Sequence, residues 1–336
     1  MATDPVRARR EVNFARYRSG QRAGHYESWF QRANHPTRPL ALWIRYTIFS
    51  PRSRPGEAIG ELWAIFFDGE RGLHVAVKEE VPVARCSFAR DRFEVIVGDA
   101  RLDPAAVLGA AESGGHRIAW DLECAGAGAP PLFVLPLAYY AAPLPKAKLL
   151  VGVPDAVYRG FIDIDGTSID IDGWRGTQNH NWGEKHTDHY AWGQVAGFDD
   201  EPDAFLEVAT ARLKVGPLWT PRITPLVLRF RGEEIALNRI RQALRAHGAF
   251  RYFDWRFRSE TRGVRVEGHI HAPASSFVAL NYNNPPGGHK HCLNSKLAAC
   301  ELEVTRGGET VRLATAHRAA FEILTDDYGH GIPLGA

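Results

Sequence analysis

The chain has 336 residues, 45% of them hydrophobic and 24% charged, and a formal net charge of +2, the composition of a globular protein long enough for two cores. Its arginines are scattered among acids, which excludes the basic tract that nucleic-acid binding requires. Cys86, Cys124, Cys292 and Cys300 show no CxxC spacing and are too few to staple the chain, so they are expected reduced and buried.

Residues 1–22 read as an N-terminal helical arm that begins at Asp4-Pro5 and runs from Arg7 to Arg18. No apolar core follows the first charges, as a signal peptide would need, so the cytoplasm is the expected compartment. Gly24-His25-Tyr26-Glu27-Ser28-Trp29-Phe30 reads as a surface segment leading into the first strand; alternatively, His25 and Glu27 reach a pocket between domains together with Glu61. Strands are expected at 40–49, 61–67, 73–81, 93–97 and 117–124, where aromatic and β-branched residues run between Gly, Pro and Asp punctuation. Asp103 as a cap and Pro104 in the first helical position predict a helix over 105–112.

The uncharged run 129–145 is broken by Pro130, Pro131, Pro136, Pro143 and Pro145 and cannot form a spanning helix. It reads as an extended connection packed against both cores, or as a surface for peripheral membrane contact or the wall of a tunnel. A hairpin over 158–164 and 167–174 turns at Asp165-Gly166, with its aspartates on a solvated face. Further strands are expected at 189–197, 204–214, 222–230, 250–258, 264–271, 297–305 and 310–324, and an amphipathic helix over 233–247. The domains are drawn at 23–150 and 151–336. A weak echo between the strand that starts at Trp43 and the strand from Trp192 suggests duplication.

The densest chemistry lies between Gln178 and Gln194. Strand alternation places Asp188, Tyr190, Trp192 and Gln194 on one wall, where aromatic surface and polar groups meet. Asn179-His180-Asn181-Trp182-Gly183, with the strand ending Tyr190-Ala191-Trp192-Gly193-Gln194, resembles the Asn-Trp-Gly and Trp-x-Gln signature of the lipocalin-like tocopherol cyclase and carotenoid 1,2-hydratase superfamily. The resemblance implies a mainly β fold of two lipocalin-like antiparallel β-barrel or sandwich domains with a few short peripheral helices. It further implies cofactor-free chemistry, or simple binding, on lipophilic molecules. His180-Asn181-Trp182 matches the His-x-Trp pair of the hydratase branch. Phe205-Leu206-Glu207 matches its aromatic-x-carboxylate pair, with phenylalanine in place of tyrosine and glutamate in place of aspartate.

The chemistry of the residues leads the same way. Protonating an alkene needs a carboxylic acid kept neutral near pH 7, which burial among aromatic side chains can provide, and aromatic faces then stabilise the carbocation. Glu207, Glu184 and Asp188 are the candidate acids and His180 a further catalytic candidate. Trp182, Tyr190, Trp192, Gln194, Phe205, Glu27 and Glu61 are candidate ligand-binding residues. The histidine pairs His269/His271 and His289/His291 could hold zinc if the fold brought them together. Cys292 reads as a buried structural cysteine. No phosphate loop, Walker motif or GxSxG elbow is present. The leading expectation is acid-catalysed cyclisation, isomerisation or hydration of a prenyl, polyene or polyketide-like molecule, the alternatives being a carrier of hydrophobic small molecules and a zinc-dependent enzyme.

Overall fold

The computed structural model describes residues 4–126 and 128–336; residues 1–3 of the expected arm lie outside the described residues. Two antiparallel sheets dominate. The first runs in the order Leu73–Pro82, Ile59–Asp68, Leu40–Ser50, His25–Asn34, Thr167–Gly183, Ala147–Ile164, His116–Gly126, Ala106–Ser113, and then three short strands back to Cys86–Phe88. It curls into a nearly closed barrel, and the Ser113 hydroxyl accepts the Lys78 backbone N–H at 2.9 Å across the closing gap. The second sheet runs Glu233–Leu237, Leu226–Phe230, Phe205–Arg212, His189–Ala196, Glu309–Thr325, His289–Arg306, Val264–His271, Asp254–Thr261 and His247–Arg251. The changeover between sheets comes after Gly183 and not at 150/151, because Ala147–Ile164 and Thr167–Gly183 pair with each other and with the first sheet.

Each barrel has its own core. Trp29, Tyr46, Trp120 and Tyr158 fill the first, and Leu206, Trp255, Phe257 and Phe321 the second. A third cluster draws on both sheets: Phe30, Trp43, Trp63 and Phe67 from the first meet Trp192, Tyr282, Cys292 and Leu324 from the second. Alternation explains this seam, since on Ile59–Asp68 Leu62, Ala64 and Phe66 point into the barrel while Trp63, Ile65 and Phe67 point at its neighbour. Trp43 and Trp192, which begin the echo between the halves, both face the seam.

Three expected helices take other forms. The segment expected as a helix over 105–112 is the strand Ala106–Ser113, because the Asp103 carboxylate accepts the N–H groups of Ala105 and Ala106 at 2.8 and 3.0 Å and makes a turn between strands. The helix expected over 233–247 divides into the strand Glu233–Leu237, a helix at Ile240–Arg245 and a strand starting at His247. The arm is helical only over Pro5–Arg10. His25–Asn34, expected on the surface, is a wholly buried ten-residue strand. The proline-rich run straps the two barrels together. Leu132 and Phe133 pair with Val151 and Leu150, while the Arg229 guanidinium donates to the Pro130 and Pro131 carbonyls at 2.6 and 3.2 Å. Among the described residues no helix is long and apolar enough to cross a membrane.

Candidate functional site

The wall expected from alternation is present on His189–Ala196. Ala191 and Val195 enter the second core, and Tyr190, Trp192 and Gln194 face the seam. Gly193, between them, has no room for a side chain: a Cβ there would lie 2.5 Å from Ile270 and 2.9 Å from Trp255. On the neighbouring strand Leu206 and Val208 point inward, which turns Phe205 and Glu207 outward, and Glu207 is the direct cross-strand partner of Gln194.

Glu207 is fully buried. Trp192 Nε1–H donates to one of its oxygens at 2.6 Å and Gln194 Nε2–H to the other at 2.8 Å. Burial pushes its carboxyl up to about 7, against the pull of those two hydrogen bonds and of the Arg32 charge. Both protein partners are donors, so the hydrogen of a neutral Glu207 has no acceptor in this pair. Gln194 is pinned on all sides. Its oxygen accepts from Arg32 Nε and from the Thr177 hydroxyl, each at 2.7 Å, and its nitrogen also donates to Asn179 Oδ1 at 2.8 Å.

The seam holds further charge that the sequence did not flag. Arg32 and Lys296 are both fully buried. Lys296 donates to Asn294 and to Glu322, the latter at 2.8 Å, and its ammonium sits 5.7 Å from the Trp43 ring and 5.5 Å from that of Trp192. Burial lowers the pKa of the lysine, and the Glu322 carboxylate opposes that shift. Half-buried Tyr190 and fully buried Cys292 lie on the same side, and desolvation drives both well above their ordinary range, which leaves the thiol no nucleophile. Of the other cysteines, Cys86 is only half-buried, contrary to expectation, and all four are free.

His180 belongs to a different place. Along Thr167–Gly183, Thr177 and Asn179 face the seam, whereas Gln178, His180 and Trp182 face the arm and the first barrel. The Glu27 carboxylate, fully buried, meets His180 Nε2 at 2.8 Å and His25 Nε2 at 3.0 Å and accepts the backbone N–H groups of Arg16 and Tyr17. Burial on its own would raise Glu27, but hydrogen bonds from His180 and His25 outweigh it and hold the group at about 2. His180 Nδ1 faces the Val12 carbonyl at 2.6 Å. Two oxygen acceptors require two N–H donors, so the geometry describes an imidazolium, although complete burial by itself lowers the histidine's pKa. Trp29 stacks on this ring at 4.8 Å, and Trp182 lies 4.7 Å away with the Arg16 guanidinium over its other neighbourhood at 5.2 Å.

The remaining expected residues are dispersed. Glu61 does reach the seam, where Asn283 donates to it at 2.8 Å and Lys78 pairs with it at 3.1 Å, but Glu27 does not join it there. Glu184 forms a surface ion pair with Lys146 at 2.8 Å. Asp188 is buried but committed to Lys185 at 2.6 Å and to the Lys214 N–H at 2.9 Å. Phe205 packs under the proline-rich strap with Leu132 and Val134. The histidine pairs stay apart, since His271 lies opposite Ala299 and His291 is eight positions before Ala299 on that strand, roughly 26 Å at the strand rise. His269 is instead bonded to Asp254 at 2.6 Å. Among the described residues no three His, Cys, Asp or Glu side chains gather as a metal would need.

No protein-family model matches the chain. Two curated relatives, the uncharacterized proteins Rv0493c and MT0513 from two strains of Mycobacterium tuberculosis, are each 26% identical over 289 residues, covering 84% of this chain and 82% of theirs. Among solved structures, CghA bound to Sch210972 matches at a TM-score of 0.56 and 12% identity, over 90% of this chain and 88% of that one. A candidate AttH from Nitrosomonas europaea matches at 0.55 and 12%, over 91% and 94%. Kievitone hydratase from Nectria haematococca matches at 0.51 and 9%, over 90% and 89%. The expectation drawn from Asn181-Trp182-Gly183 therefore holds for the architecture: the chain has the two-barrel, lipocalin-like fold of these three proteins.

Proposed function

We propose that the chain protonates an alkene-bearing lipophilic substrate at the seam between its barrels, with Glu207 as the acid. The observation that carries this reading is a carboxyl wholly buried against Trp192 and Gln194 and pushed up to about 7, so that a large share of it is neutral at physiological pH. Its O–H adds a proton to one alkene carbon, which forms a C–H bond and leaves a carbocation and a glutamate. The indole face of Trp192 and the aromatic rings around it stabilise that cation. Ring closure onto an internal hydroxyl or alkene with loss of a proton, direct loss of a neighbouring proton, or capture of water with loss of one of its protons then discharges it, and the proton so released restores Glu207. These three outcomes are cyclisation, isomerisation and hydration. That a hydratase and CghA share the fold supports the reading.

His180 is left out of the chemical step. Its ring faces away from Glu207 and is committed to Val12 and Glu27, which makes it a clamp for the N-terminal arm.

The test is turnover of a panel of prenylated and polyene substrates in D2O. Product should carry deuterium at one former alkene carbon, and Glu207→Gln should lower the rate by roughly 10²–10⁴-fold. His180→Ala should affect stability more than the rate of the bound enzyme. Binding of panel members with no turnover, unaltered by Glu207→Gln, would replace this reading with that of a carrier.

A further inference from the structure

A second site lies away from Glu207. Beneath the N-terminal arm, at the end of the first barrel, a cleft of about 550 Å³ opens, within the range that small-molecule sites occupy. Its walls include Val12, Phe14, Phe93 and Val153. Arg9 and Arg10 stand on its rim; both are exposed, and neither is ion-paired among the described residues. The third rim arginine, Arg92, is already bonded to Asp91 and Glu94.

Its floor is polar. Asn13 and Gln178 are 6% and 2% exposed, and Asn13 Nδ2–H donates to Gln178 Oε1 at 2.7 Å. That bond uses one half of each amide. The other half of Asn13, its Oδ1 acceptor, is buried without a partner. Gln31, beside Gln178 across the strand pair and wholly buried, has neither amide atom bonded. Leaving such groups buried and unsatisfied is destabilising, so hydrogen-bonding capacity is concentrated where an apolar-walled cleft ends.

We propose that this cleft binds an apolar carboxylate bearing a hydroxyl or amide at its far end: the carboxylate meets Arg9 and Arg10, the hydrocarbon lies on the apolar walls, and the terminal group bonds the Asn13 and Gln178 amides. The arginines supply charge-assisted hydrogen bonds of the kind that select carboxylates. The floor supplies selectivity, since a site built to hydrogen-bond a hydroxyl discriminates strongly against the analogue that lacks it.

The experiment is calorimetric titration of the full chain with ω-hydroxydodecanoate, dodecanoate and dodecanol. The ω-hydroxy acid should bind at least tenfold more tightly than either of the others. The double substitution Arg9→Ala/Arg10→Ala, confined to exposed side chains, should weaken both carboxylates at least tenfold and leave the melting temperature unchanged. Gln178→Leu should erase the preference for the hydroxylated acid. The proposal is overturned if no carboxylate binds, if the arginine substitutions leave carboxylate affinity unaltered, or if Trp192→Phe at the seam abolishes binding while the cleft substitutions do not. Where Gln178→Leu fails to fold, the arginine pair alone decides.

Discussion

Glu27 and Glu207 are both fully buried, yet their surroundings move their protons in opposite directions. Glu27 receives hydrogen bonds from two histidines and two backbone N–H groups and sits at about 2; Glu207 is dominated by burial and sits at about 7. The consequences for stability have opposite signs. Glu27, lowered from its ordinary 4.5, contributes stability above that value and loses it as pH falls through about 2. Glu207, raised from 4.5, contributes below that value and loses its contribution as pH rises through about 7. Each swing is about 3 kcal/mol. Urea unfolding of Glu207→Gln across pH should therefore show that its stability, relative to the unsubstituted chain, improves between pH 4.5 and 7. Glu27→Gln should compare worse near neutrality and recover as the medium is made acid. A flat difference for Glu207→Gln across its window would mean that the carboxyl is ionised throughout.

Among the elements, the proline-rich strap is the cover of the seam. Leu132 and Val134 lie over Phe205 and Val227, and Tyr140 caps the neighbouring face by donating to the Leu149 carbonyl at 2.6 Å. Arg229 holds the strap to the second sheet through the Pro130 and Pro131 carbonyls. Charge-assisted bonds of this kind are worth about 1.5–3 kcal/mol each, so Arg229→Ala should raise amide hydrogen exchange across 129–145 by about tenfold or more, and unaltered protection would show the strap to be held elsewhere. The elements also show what was readable in the sequence. His116–Gly126 has one face in the core and the other largely in solvent, so alternation marked it with nearly correct bounds. His25–Asn34 was missed because one face lines the first barrel and the other the seam; with all ten residues buried, no polar period survives. The Asp103-Pro104 turn was mistaken for a helix start because the same side-chain acceptor serves an N-cap and a turn between strands.

At the scale of the molecule, the seam ties the two halves into one folding unit. Arg32 and Asn34 of the first sheet bond Gln194, the Lys296 carbonyl and the Arg318 carbonyl of the second, and all three of Arg32, Asn34 and Gln194 are buried. Separating the barrels would break these bonds and expose the apolar seam of Phe30, Trp43, Trp63, Phe67 and Trp192 to water, and the loss of that burial is the larger cost. Tryptophan fluorescence and far-ultraviolet circular dichroism should report one coincident unfolding transition, and two resolved transitions would mean that the barrels fold independently. The same long-range assembly explains what the sequence could and could not show of the site. Glu207, Trp192 and Gln194 were legible because they lie on adjacent strands, with Trp192 and Glu207 fifteen positions apart, and alternate with core positions. Arg32, Lys296 and Glu322 were not, since nothing local in their strands announces that the first sheet will bring Trp43 over Lys296. His180 was grouped with Glu207 through its motif, and the pleat that separates it from Asn179 divides them. The raised Glu207 carboxyl is thus a property of the assembled seam, and carbon-13 nuclear magnetic resonance of glutamate-labelled protein, with Glu207→Gln to assign the signal, measures it directly. The Glu207 carboxyl should titrate with a midpoint near 7 in the folded chain; a midpoint at or below the ordinary 4.5 would contradict the proposed role.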